Sequence, residues 1–114
     1  MTSDNTFELY DLEVTVEGDE KDFVCRHHAG HAFRVEGEDL VFPEGGRFSM
    51  YALAALIPLL PAKERPTSPN DWMTTDALIA CPDPNCGAKC RIRRTAKRIL
   101  SHAECTVVPL GEKA

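Results

Sequence analysis

Cys81 and Cys86 close a six-residue stretch, Cys-Pro-Asp-Pro-Asn-Cys, and two soft sulfur ligands so held suit a tetrahedral zinc or iron ion. Pro82 and Pro84 fix φ and lack N–H donors, so the stretch cannot continue a central strand. Asp83 and Asn85 favour a turn, because their side chains bond to nearby backbone. A stiff loop therefore presents Cys81 at a strand end and Cys86 across a turn. Two thiols do not complete a tetrahedral site. The other dense cluster of ligand types is Cys25-Arg-His-His-Ala-Gly-His31. Cys25 and His28 have zinc-knuckle spacing if the chain turns at Gly30, whereas an extended chain would put Cys25 and His27 on one face. The turn favours His28 over His27, with His31 the third histidine of the cluster. A closed set of Cys25, His28, Cys81 and Cys86 would be structural; water in place of one ligand would leave a Lewis-acidic metal.

The same residues admit other chemistry. Cys81 could be a nucleophile if a histidine or nearby bases lowered its pKa, with Asp83 orienting the histidine or moving protons. The chain has no nucleophile elbow, Walker loop, glycine-rich dinucleotide turn or His-Glu pair of the zinc hydrolases. CPDPNC also differs from the Pro-Cys-x-x-Cys of zinc deaminases, and Ala-Phe rather than Ala-Glu follows His31. No standard reaction class is supported. Cys90, on an apolar strand face, and Cys105, beside Thr106-Val107-Val108, read as buried sulfur.

The elements that must position these groups read as α+β: a small, mostly antiparallel sheet or partial barrel packed around one central helix. Leu12, Val14 and Val16 alternate with acids and Thr15, which predicts a half-buried strand. A second extended piece is expected over 23–27, a strand around Phe33 and Val35 ending at Gly37, and a short strand over 40–42. Ser49 can cap the one convincing helix, MYALAALI, whose apolar residues lie on nearly every side and predict burial against the sheet. Four prolines between Pro58 and Pro69 predict an extended connector, and Trp72 beside Met73 predicts a core plug. Residues 77–81 and 88–95 read as strands flanking the cysteine turn, and Val107-Val108 as a last short strand. Ala88, Cys90 and Ile92 share one face of the returning strand, and Lys89, Arg91 and Arg93 the other.

A chain of 114 residues is one domain's worth, with a core expected over about 9–95 and a tail over 101–114. Such a core is small, so a metal would stabilise it. The opening MTSDNTFELYD lacks the basic flank and apolar stretch of a secretory signal, and the longest apolar run is too short to span a bilayer. These features, with an odd cysteine count, predict a soluble cytoplasmic protein that uses cysteine for metal or thiol chemistry rather than disulfides. Twelve of the eighteen acids lie in residues 1–44, and six of the thirteen bases lie between Lys89 and Arg98. Lys89, Arg91, Arg93 and Arg94 therefore form a candidate surface for a protein partner or an anionic small molecule, unless they simply complement the acidic half. The net charge of −5 and the lack of interleaved aromatics argue against nucleic acid. Short strands and an apolar helix would tolerate a homodimer.

Several marks resemble a family of small prokaryotic proteins of unassigned function. They are Cys25, the 27–30 segment, Phe33, YALAALIPLLPAKERP, NDWMTTD, ACPDPNC and RIRRT, together covering about residues 9–95. The resemblance implies that Cys25 and Cys81 belong to one shared pattern, which suits a common site. Many relatives of this kind carry a Cys just before the helix, where this chain has Ser49. If that Cys is a ligand in them, Cys86 or a histidine must substitute here; otherwise Ser49 is only a cap. The expectation is a small metal-binding accessory or binding protein in metabolism. The alternative is a small metal- or thiol-dependent enzyme using Cys81 and a nearby histidine on a polar metabolite.

Overall fold

The structure, a computed structural model, describes residues 5–24 and 28–111. Five antiparallel strands form one open sheet in the order β3-β2-β1-β5-β4: β1 (Thr6–Glu17), β2 (Gly30–Glu36), β3 (Asp39–Val41), β4 (Leu78–Ala80) and β5 (Lys89–Ser101). The sheet does not close, so the partial barrel is corrected to an open sheet with β3 and β4 at its edges. The strand read in residues 12–16 extends back to Thr6, because β5 pairs with β1 over its whole length, although a register shift between Asp11 and Leu12 breaks the alternation there. β2 pairs only with Leu12–Val16 of β1, so the 6–11 half of β1 and the 96–101 half of β5 form a two-stranded ribbon.

Period-two patterning sets the core. Leu12, Val14 and Val16 of β1, Phe33 and Val35 of β2, and Cys90 and Ile92 of β5 all lie on one face and are buried. Phe48 and Phe42 stack on Phe33, with ring centroids 5.2 and 5.0 Å away. The connection from β3 to β4 covers this face, but not with one helix. Ser49 Oγ accepts the Ala52 N–H at 3.3 Å and starts α1 (Met50–Leu56) as the sequence predicts. Pro58 then supplies no N–H, α1 stops, and α2 (Leu60–Glu64) follows with Pro61 in its first turn, where a missing donor costs nothing. The expected single helix and extended connector are thus two short helices.

Nor is α1 buried all round. Ala52 and Leu56 point inward with Leu60 of α2, while Met50 and Tyr51 are exposed. Seven residues span two turns, enough for one inward stripe only. Trp72 is also exposed, at 70%, rather than a core plug. It opens a single 3-10 turn, Trp72–Thr74, capped by Asp71. Glu20–Asp22 forms another 3-10 turn, and Phe23 follows with extended backbone but outside any strand; residues 25–27 of the expected extended piece lie outside the described residues. The last expected strand is absent too. β5 instead runs into α3 (His102–Cys105), Val107 is fully exposed, and Cys105 is exposed rather than buried. Among the described residues, no helix is long and apolar enough to cross a membrane.

Candidate metal centre

The turn between β4 and β5 is built as its residue types require. Asp83 Oδ1 accepts the Asn85 N–H at 2.9 Å and the Asp83 carbonyl accepts the Cys86 N–H at 3.0 Å. The Cys81 N–H donates to the Ala88 carbonyl at 3.2 Å, closing the hairpin around both cysteines. Cys81 is buried and Cys86 half-buried. Cys90, one strand position further in, is buried against the core, which pushes its thiol pKa up to about 11; proximity to Cys81 and Cys86 adds to the rise. Three sulfurs therefore occupy one end of the sheet.

The segment that precedes Cys25 docks on this turn. Gly18, at φ 123°, ends β1 and reverses the chain into the Glu20–Asp22 turn. The Gly87 N–H donates to the Asp22 carbonyl at 2.8 Å, and the Val24 N–H donates to Cys86 Sγ at 3.2 Å. Close approach needs glycine on both sides: a Cβ on Gly18 would meet the Phe23 ring at 2.9 Å, and one on Gly87 would meet Asp22 Cβ at 2.9 Å. Of the predicted ligands, Cys81 and Cys86 thus share a turn, and the residue before Cys25 bonds to one of them. Cys25 itself, with Arg26 and His27, lies outside the described residues.

His28 is exposed, with Nδ1 3.4 Å from Glu20 Oε1; Glu20 Oε2 also accepts the Ala29 N–H at 3.3 Å. His31 lies on the outer sheet face, its Nδ1 2.8 Å from Glu13 Oε2. Among the described residues, no three His, Cys, Asp or Glu gather into a group that could hold a metal ion. A complete site would therefore need a donor from outside them. Asp83, the proton-moving residue of the enzyme alternative, uses Oδ1 to hold its own turn.

The basic strand faces acids of β1. Arg91 bonds to Glu17 through Nε and Nη2, Arg93 Nη2 donates to Glu13 Oε1 at 2.7 Å, and Arg98 makes a two-pronged pair with Asp11 at 2.9 and 3.1 Å. Lys97 Nζ is 3.8 Å from Glu8, and Lys89 stands opposite Glu17 in the strand register. Hydrogen bonds from Arg93 and His31 hold the Glu13 carboxyl below its ordinary pKa. Exposed pairs of this kind add little stability, but they neutralise much of the candidate anion surface. Arg94 has a different task. Its guanidinium donates to the Lys63 and Arg65 carbonyls, both at 2.8 Å, and to Thr67 Oγ1 at 3.3 Å, fastening the end of α2 to β5.

Sequence reasoning missed Lys63 and Glu64, which it placed in an extended connector and which α2 buries. Lys63 Nζ donates to the Met73 carbonyl, and burial, with Arg94 nearby, lowers its pKa. Nothing in the local pattern PAKER distinguishes these two charges from surface ones. No protein-family model matches this chain, and neither a curated protein nor a solved structure matches it.

Proposed function

We propose that this is a small cytoplasmic metal-binding protein in which Cys81 and Cys86, with Cys25 and His28, hold one zinc or iron ion, and that it serves as an accessory or binding protein in metabolism. The observation that carries the reading is the hydrogen bond from Val24 N–H to Cys86 Sγ: sulfur of the rigid turn is in contact with the residue next to Cys25. The donor set also fits. Sulfur and imidazole ligands suit zinc and ferrous iron, and the Asp83 turn sets the spacing of two of them before any metal arrives. His28 would exchange its Glu20 contact for the metal. When bound, the ion would cross-link the 18–28 segment to the β4–β5 turn and stabilise a small core. The enzyme alternative draws less support, since Cys81 is buried and Asp83 is engaged in the turn.

Anaerobic cobalt(II) titration tests the site. The reading expects thiolate-to-cobalt charge-transfer absorption that falls stepwise in Cys81→Ser and Cys86→Ser and is displaced by zinc. Absence of that band in the reduced wild-type chain would count against it.

A further inference from the structure

Where β2 ends at Glu36 and β1 continues paired only with β5, the ribbon and the β2–β3 hairpin diverge. Between them lies a cavity of 650 Å³, walled further by Ile57, by α2 and by Glu104 and Cys105 of α3. That size falls in the range of about 300–1,000 Å³ common for small-molecule sites. The walls are mostly apolar: Phe7, Leu9 and Leu100 from the ribbon, Val35 and Leu40 from the hairpin, Leu60 from α2. Glu64 belongs to this wall, its side chain is only 7% exposed, and its Oε2 is buried with no hydrogen-bond partner. Arg65 Nη1 approaches only the other oxygen, at 3.8 Å, beyond hydrogen-bond range. Glu38 and Glu104 also line the cavity, so three carboxyl groups face one guanidinium there.

We propose that this cavity binds a small apolar amine, its hydrocarbon part between ribbon and hairpin and its ammonium on Glu64. A buried oxygen without a donor is costly; Oε2 has almost no accessible surface, so the Glu64 carboxyl would turn toward the cavity it lines to meet an ammonium, which supplies that donor together with the charge the acidic lining lacks. Burial raises the Glu64 pKa, with Arg65 opposing and Asp11 adding to the rise, and a cation beside the carboxyl would lower it. The apolar wall accounts for the rest of the selectivity: a hydrophilic amine would gain only the ion pair. This inference is independent of the metal site, which lies at the other end of β5.

The test uses the full chain with n-octylammonium, 1-octanol and octanoate as probes, followed by calorimetry and amide chemical shifts. n-Octylammonium should move the amides of Leu9, Val35, Leu60 and Leu100 and bind about tenfold more tightly than either other probe. Glu64→Gln should reduce its affinity to that of 1-octanol. Ile57→Trp, which fills the mouth from a partly exposed wall position, should abolish binding of all three and serves if Glu64→Gln fails to fold. Equal affinity for the three probes, shifts elsewhere, or full affinity in a folded Glu64→Gln variant would overturn the proposal. So would concentration-dependent self-association that occludes the cavity, which would assign it to a second copy of the chain.

Discussion

Replacing Arg94 with methionine keeps the apolar stem and removes every hydrogen bond that ties α2 to β5. The guanidinium serves the carbonyls of Lys63 and Arg65 and the hydroxyl of Thr67, and it lies 4.7 Å above the Tyr10 ring. The carbonyls belong to the end of α2, where they have no partner of their own within the helix. A charge-assisted hydrogen bond contributes about 1.5–3 kcal/mol net, and partial solvent access lowers that. The loss of two such bonds and the ring contact should total about 3 kcal/mol. For a domain of this size that lowers Tm by roughly 10–20 °C. Arg94→Lys should recover less than half of the loss, because one ammonium cannot serve both carbonyls with the geometry of a guanidinium fork. Arg91→Met is the control: Arg91 pairs on the outer face with exposed Glu17, and its loss should move Tm little. Thermal melts of the four proteins, followed by circular dichroism, decide the matter. If Arg94→Met and Arg91→Met are equally stable, Arg94 is a surface charge after all and its role as a clasp is wrong.

Three further outcomes follow from the geometry. Gly87→Ala would drive a Cβ against Asp22, so the 18–24 segment should lift from the cysteine turn at a cost of about 1–3 kcal/mol in urea melts, with weaker metal binding; an unchanged midpoint would contradict the packing. Glu13 has its pKa lowered by Arg93 and His31, so its contribution is present above the ordinary value of 4.5 and is lost as pH falls through the depressed folded-state value. The stability gap between the wild type and Glu13→Gln should therefore close on acidification, and a gap that widens would refute the assignment. Exposed Cys105 should alkylate with iodoacetamide in the native protein near neutral pH, while Cys90, buried with its pKa near 11, should react only after unfolding, as peptide mass spectrometry can show.

Most of the sheet was legible because strand patterning is local. The alternations at 12–16, 33–35 and 88–92 each name their buried face, and the Pro-Asp-Pro-Asn turn follows from backbone restrictions alone. Ser49 was readable as a cap for the same reason. What was hidden depends on distant partners. The two-helix cover follows from Pro58 and Pro61, but whether proline ends a helix or opens the next depends on what Leu56 and Leu60 can bury against. Trp72 lies outside at the start of a 3-10 turn capped by Asp71, which residue type alone does not reveal. Lys63, Glu64 and Arg94 carry surface-type side chains whose burial or clasping follows only from the packing of α2 on β1 and β5. For the site, the sequence named Cys81 and Cys86 as a rigid pair, and the docking of 22–24 on that pair depends on Gly18 and Gly87, whose close approach is a tertiary feature.

The most direct test of the account is metal content in protein purified without chelator, measured beside Cys25→Ser, Cys81→Ser and Cys86→Ser, with Cys105→Ser as control. The account predicts about one zinc or iron per chain in the wild type and in Cys105→Ser, and loss of that metal in the other three. A wild-type chain that stays metal-free after anaerobic reconstitution, or metal retained in both Cys81→Ser and Cys86→Ser, would contradict it.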